Sequence, residues 1–225
     1  MLGISGGDPS FRDDDGSANP ATAAALAAFA AGHSGEHAAL TALASGRLLV
    51  PVVAVPAEQA SEMAMPTLIG LDGRRAVPAF TCLESMRRWQ PDARPVPVAA
   101  RQVWQAAAAE SCAVVIDVAG PVPLAVEGAR LTALARGDAV PRPEEDPDVQ
   151  EAVAAALADE LDVAAFQLGS GDADHDLVIG LILASDRGER DVRELADKAG
   201  NAVMARLSGR LRQGVAFWFS SQSAD

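Results

Sequence analysis

Apolar residues recur along this chain with two periods, about 3.6 and about 2 residues, which predicts interleaved helices and strands. The predicted helices lie at 20–31, 36–45, 99–110, 130–136, 148–160 and 191–211, with a short one after Thr81. The predicted strands lie at 48–55, 67–71, 76–81, 94–98, 112–120, 124–126, 163–168, 177–184 and 215–219. This order predicts an α/β (α+β) protein in which mixed or antiparallel sheets pack against helices.

One stretch of the pattern is especially clear. Two apolar runs, 67–71 and 76–81, are joined around Asp72-Gly73, a dipeptide that is typical of a β-hairpin turn. A short helix is expected directly after the second run, with Leu83, Met86 and Trp89 on its inner face. The stretch is therefore predicted to fold as strand, turn, strand and helix.

Composition divides the pattern into segments. Residues 1–17 are rich in Gly, Ser and Asp, which predicts a flexible tail. An α/β domain is expected at 18–137, and a linker at 138–147, where prolines and acidic residues are concentrated. Residues 148–225 then repeat the interleaving in the order α-β-β-α-β, which predicts a second small domain.

Charge narrows the classes of function. The formal net charge is −13 and the sequence pI is about 4.6, although 49% of the residues are apolar. An acidic chain without a basic patch argues against binding to nucleic acid or to an anionic membrane surface.

The chain begins without signal-peptide features, and no apolar run reaches about 18 residues. We therefore expect a cytoplasmic protein in which Cys82 and Cys112 are free thiols.

Candidate chemistry is sparse. The residues from His33 to His37 match the pattern H-x-x-E-H, but surrounding glycines favour a turn between helices over a zinc site. Aspartates alternate in the loop 172–176, where the EF-hand spacing fails and a weak cation site stays open. Cys82 is expected at the start of a helix without a nearby histidine. We therefore predict no catalytic residue, no metal and no cofactor.

The stretch TLIGLDGRRAVPAFTCLESMRRW, with LLVPV before it and CAVVIDVAG after it, resembles the N-terminal domain of the SseB family over about 38–137. Phe80-Thr81 and Trp89 match residues typical of that family. Many members carry Asn-Pro after the later strand, where this chain reads Asp117 to Pro121, so the pattern departs there. The C-terminal α-β-β-α-β segment is similar to the second domain of many members.

The resemblance implies a cytosolic two-domain protein without established catalytic residues, and the family name refers to serine sensitivity. We predict a non-enzymatic protein-interaction or regulatory module, with an unidentified protein partner at Phe80, Thr81 and Trp89 or at Trp218. The face that carries Trp218 is expected either to pack on the other domain or to be exposed. The alternative is a small-molecule sensor or enzyme with its site between the domains. A homodimer through the last strand also remains open.

Overall fold

The computed structural model describes residues 9–56, 61–64, 66–71, 73–121, 123–172, 174–207 and 209–221. The chain divides into two compact units, which we call the first and the second unit. The first comprises Met1–Ala30 and Ala39–Val140, and the second comprises Ala31–Ala38 and Pro141–Asp225. Helices and sheets are mixed throughout, so the predicted α/β class is confirmed.

Helices and strands alternate along the chain. The helices are α1 (Pro20–Ala30), α2 (Glu36–Ala44), α3 (Leu83–Trp89), α4 (Ala100–Ala109), α5 (Gly128–Arg136), α6 (Pro147–Leu157) and α7 (Glu189–Leu207). The strands are β1 (Arg47–Pro56), β2 (Ser61–Ala64), β3 (Leu68–Ile69), β4 (Arg75–Ala79), β5 (Arg94–Ala99), β6 (Ala113–Ile116), β7 (Leu124–Val126), β8 (Val163–Ser170), β9 (Leu177–Leu183) and β10 (Val215–Ser221). Short 3-10 turns lie at Pro9–Phe11 and Pro143–Glu145.

The described strands of the first unit form two sheets. Strand β1 pairs antiparallel with β5 and then with β2, and the change of partner comes directly after Val52, next to Pro51. The second sheet has the order β3-β4-β6-β7, in which β4 and β6 are parallel and the other pairs are antiparallel. Among the described residues, an isolated bridge between Leu49 and Phe80 connects the two sheets. The predicted hairpin is present as β3 and β4, while Asp72 of its turn lies outside the described residues.

Helix α4 supplies much of the core of the first unit. Its apolar residues Val103, Trp104 and Ala107 follow a helical spacing and are fully buried against both sheets and α5. Helix α5 ends at Gly137, whose φ of 80° is the left-handed conformation that glycine adopts without strain. None of the helices in the described part of the chain is long and apolar enough to cross a membrane.

The second unit has the element order α6, β8, β9, α7 and β10. Strand β9 lies in the middle of the sheet, antiparallel to β8 and parallel to β10. Helices α6 and α7 pack on one face of this sheet, which we call the inner face. The core there is formed by Val149, Val153, Leu157, Leu177, Ile179, Leu181, Leu183, Leu195, Ala199, Val203 and Leu207.

Candidate functional site

A polar cluster lies at the end of β4 because that strand runs parallel to its neighbour β6. Asp117 follows β6 directly, and its carboxylate accepts hydrogen bonds from the backbone N–H of Thr81 at 3.0 Å and from the Thr81 hydroxyl at 2.6 Å. The Ser85 hydroxyl donates to the same carboxylate at 2.5 Å. We call Thr81, Ser85 and Asp117 the strand-end cluster. Its carboxylate is occupied by three donors, so the cluster fixes the start of α3 instead of presenting a free base.

The backbone of Asp117 is unusual as well. Its φ of 47° lies in the left-handed region, which residues other than glycine seldom adopt and which Asp and Asn tolerate best. The backbone N–H of Asp117 donates to the carbonyl of Ala79 at 2.9 Å, and its carbonyl accepts from Gly120 at 2.6 Å. Asp117 therefore ends the parallel pairing and turns the chain at the same position.

The predicted binding residues Phe80 and Trp89 lie next to this cluster, and their ring centroids are 5.5 Å apart. Phe80 is fully buried with Leu49 and Met86, whereas Trp89 is half-buried at the edge of that group. Thr81 is also buried. Of the three predicted residues, Trp89 is therefore the one that offers side-chain surface to a partner. Its ring packs against the buried ring of Phe80.

Arg47 connects the N-terminal segment to the strand-end cluster. Its guanidinium pairs with Asp14 at 2.6 Å and donates to the carbonyl of Thr81 at 2.8 Å and to that of Ser17 at 2.6 Å. The carbonyl of Gly16 accepts from the first N–H of α3 at 2.8 Å. The sequence predicted a flexible tail over 1–17, and in the structure residues 14–17 are held by these contacts, while residues 1–8 lie outside the described residues.

A cavity of 540 Å³ lies in the first unit beside the N-terminal segment. Its lining includes Asp13, Asp14, Asp15 and Arg47, and because Arg47 pairs with Asp14, the formal charge of the lining is still negative. Hydrogen bonds from Ser17 lower the pKa of Asp15, so this carboxylate stays ionised to a lower pH than usual. A negatively charged lining favours a ligand that carries a positive charge.

The second unit presents a different kind of surface on the outer face of its sheet, opposite α6 and α7. Side chains alternate along strands, and the strand register places nine residues on this face. They are Ala165, Gln167, Gly169, Val178, Gly180, Ile182, Ala216, Trp218 and Ser220. None of the nine is charged, although the second unit contains 18 acidic and 8 basic residues and so has a formal net charge of −10.

Trp218, on the edge strand β10, is the largest side chain of the outer face. Its indole lies against Gly180 of the neighbouring strand, where an added Cβ would come within 2.2 Å of the ring. The side chains of Phe217 and Phe219 point to the inner face and stack at a centroid distance of 6.3 Å. Trp218 is still 43% exposed, so its orientation agrees with the predicted alternation and it remains available at the surface.

The aspartates of the 172–176 loop separate in the structure. Asp172 accepts from the backbone N–H groups of Asp174 and His175 at 2.9 Å each, and these bonds together with the His175 ring lower its pKa. Asp176 instead turns inward and accepts from the N–H of Gln213 at 2.7 Å. In the described part of the chain, no group of three or more His, Cys, Asp or Glu side chains is arranged to hold a metal ion.

The H-x-x-E-H residues do not share one helix, because α2 begins at Glu36, after His33. Glu36 is buried and pairs at 3.6 Å with Arg210, which also binds the buried carboxylate of Asp146. His37 lies 3.4 Å from the carbonyl of Pro141. Glu36, the acidic residue of the motif, is therefore held by an ion pair within the second unit.

The protein is an α/β chain of two units, with the strand-end cluster in the first unit and the uncharged outer face in the second. Residues 23–133 match the family model of the SseB protein N-terminal domain. The chain belongs to the SseB family through this domain, as the resemblance around Phe80, Thr81 and Trp89 predicted. The resemblance of 148–225 to the second domain of the family stays a prediction. No curated protein and no solved structure gave a significant match to the chain.

Several residues of these sites were missed at the sequence level. Asp117 was noted only because it departs from a family pattern, and Arg47 and Ser85 carried no signal of their own. Gly180 breaks a long apolar strand, which could have indicated a close approach by another side chain. The sequence did predict Trp218 on the face opposite Phe217 and Phe219.

Proposed function

We propose that this chain is a non-enzymatic protein-interaction module and that its partner docks on the outer face of the second unit around Trp218. The observation that carries the proposal is this uncharged face on a unit with a formal net charge of −10. Uncharged patches that contain a half-exposed aromatic side chain are typical of interface centres, where Trp is enriched among the residues that contribute most to binding.

The free energy available at this position can be estimated from the exposed indole. Trp218 is 43% exposed, which for a side chain of this size corresponds to roughly 100 Å² of surface. Removing that area from water contributes about 2–3 kcal/mol at 25 cal/mol per Å². Gly180 holds the indole against the sheet in the free protein, so little side-chain entropy is lost when a partner covers it.

The charge of the second unit specifies the partner further. A partner surface that is apolar where it meets Trp218 and basic at its rim would complement this face and the net negative charge of the second unit. We therefore expect a protein partner with an apolar patch and a basic rim. Association with such a partner should become slower as the salt concentration rises, because rim charges act mainly on the association rate.

The test is affinity capture of the tagged chain from its native extract, followed by mass spectrometry. Trp218→Ala should remove the specific partner, because a loss of about 2–3 kcal/mol weakens binding roughly 30- to 150-fold. Leu161→Ala is the matched control, since Leu161 is an apolar side chain of the same unit that is 92% exposed and lies outside the face. A partner that survives Trp218→Ala contradicts the proposed docking face.

The second predicted docking region is tested in the same experiment. Trp89→Ala trims the half-buried ring that packs on Phe80 in the first unit. A partner lost with Trp89→Ala and retained with Trp218→Ala would transfer the docking surface to the first unit. A partner that is retained by both variants would argue against an interaction through either aromatic region.

The 540 Å³ cavity supports a second candidate function, the binding of a small cationic or zwitterionic molecule in the first unit. A thermal-shift screen over amino acids, amines, nucleotides and metal ions tests it, and serine belongs in the screen because of the family name. A ligand of this cavity should raise the melting temperature of the wild-type chain. The same ligand should leave the melting temperature of Asp15→Asn unchanged. The absence of any shift at millimolar ligand would argue against this function.

A further inference from the structure

Strand β10 forms one edge of the sheet in the second unit, because in the order β10-β9-β8 it has a neighbour on one side. Its seven residues, VAFWFSS, contain no charged residue and no proline. Protein edge strands usually carry such residues, or a bulge, to prevent pairing with another chain. Within the described residues, β10 has no such protection, so its outer edge is suited to accept a further strand.

The sequence of β10 is nearly symmetric about Trp218. Phe217 and Phe219 flank it on both sides, and beyond them lie the small residues Ala216 and Ser220. A strand with this symmetry matches itself when a second copy runs in the opposite direction. Large side chains then meet large ones and small side chains meet small ones, which is the condition for a two-fold interface.

We propose that two copies of this chain pair through β10, antiparallel and about a two-fold axis at Trp218, so that their sheets become one six-stranded sheet. In this register Trp218 lies opposite Trp218 of the second copy, Phe217 opposite Phe219, and Ala216 opposite Ser220. The aromatic pairs on both faces add to the backbone hydrogen bonds of the new ladder. The two outer faces join into one surface that contains both Trp218 side chains.

Charge and size set the strength of this dimer. Each second unit has a formal net charge of −10, so the two copies repel one another at low ionic strength. One strand pair also buries less than the roughly 1,600 Å² of a standard stable interface. The dimer should therefore exchange with monomer and become tighter as salt is added. The proposed basic partner behaves in the opposite way, because salt weakens its attraction.

The first test uses charges across the two-fold axis, measured by sedimentation equilibrium on the purified full chain. In Ala216→Lys/Ser220→Lys, like charges face each other twice, which should weaken the dimer about tenfold or more. In Ala216→Lys/Ser220→Glu, the same positions carry opposite charges and the dimer should be restored or strengthened. Both variants place two charges on the same strand of the monomer, so each controls for the folding of the other.

The second test is register-specific crosslinking with oxidised glutathione, which accepts the two electrons and two protons that a thiol pair gives up. Trp218→Cys should crosslink as a single variant. Ala216→Cys and Ser220→Cys should crosslink only when combined, because each lies opposite the other. The wild-type chain controls for Cys82 and Cys112. A chain that stays monomeric at all concentrations and salts, or crosslinking by Ala216→Cys alone, would overturn the pairing.

This pairing is independent of the proposed docking function, because it uses the backbone edge of β10 and is measured without any partner. A monomeric wild-type chain that still captures its partner through Trp218 would refute the dimer and leave the docking face in place. A dimer with the predicted crosslinks and no captured partner would support the pairing and count against the interaction module.

Discussion

Replacement of Asp117 tests the strand-end cluster most sharply, because this residue combines three accepted hydrogen bonds with a left-handed backbone. Asp117→Gly removes the carboxylate and keeps the conformation without strain. The backbone N–H and the hydroxyl of Thr81 then lose their acceptor, while Ser85 retains the carbonyl of Cys82 at 3.0 Å. Each buried donor left without a partner costs roughly 1–3 kcal/mol, so for the two donors of Thr81 we expect a loss of about 2–6 kcal/mol.

Two further replacements separate the causes. Asp117→Ala should lose about 1 kcal/mol more than Asp117→Gly, because a side chain with a Cβ is strained at a φ of 47°. Asp117→Asn should cost about 1 kcal/mol, since the amide keeps one acceptor oxygen and Asn tolerates the left-handed region. Asp92→Ala, at an exposed aspartate of the same unit, is the matched control and should change stability by less than about 0.5 kcal/mol.

Urea denaturation followed by tryptophan fluorescence measures these differences. The first unit contains Trp89 and Trp104, so a Trp218→Phe background restricts the signal to that unit. The midpoint should shift while the slope of the free energy of unfolding against urea stays constant. If Asp117→Gly unfolds within about 0.5 kcal/mol of the wild-type chain, the carboxylate does not hold the start of α3 and the account of the cluster is wrong.

Three other predictions concern single contacts. Gly180→Ala places a Cβ within 2.2 Å of the Trp218 ring, so the indole should move off the sheet, with a red-shifted emission and a loss of about 1–3 kcal/mol; unchanged emission would contradict the contact. Arg47→Ala should release residues 14–17, which hydrogen exchange at the Leu83 amide detects as lost protection. The side chain of Asp172 should titrate by NMR with a pKa below 3.8. The small contribution of this carboxylate to stability is then present above pH 3.8 and is lost as the pH falls through the lowered pKa. A pKa at or above 3.8 would contradict the loop geometry.

The local elements were predictable because their signals are local. The hairpin of β3 and β4 follows from two apolar runs around Asp72-Gly73, and the end of α5 follows from Gly137. Strand β4 ends at Ala79, two residues before the end of the predicted run 76–81, because Phe80 leaves the strand and bridges to Leu49. Boundaries of this kind depend on partners that are distant in sequence.

The candidate sites could not be predicted in the same way. Asp117 meets Thr81 only because β4 and β6 are parallel neighbours, and nothing in either segment specifies that pairing. Gly180 lies under Trp218 because β10 is parallel to β9 in one particular register. The alternation of side chains along β10 gave the face of Trp218 correctly, but the composition of the whole face required the register of all three strands.

Docking of a partner on the outer face of the second unit can be tested by comparing three chains. The tagged wild-type chain, Trp218→Ala and Leu161→Ala are captured side by side from the native extract and their bound proteins are quantified. We expect a stoichiometric partner with the wild-type chain and with Leu161→Ala, and its loss with Trp218→Ala. Equal capture by all three chains would contradict docking on this face.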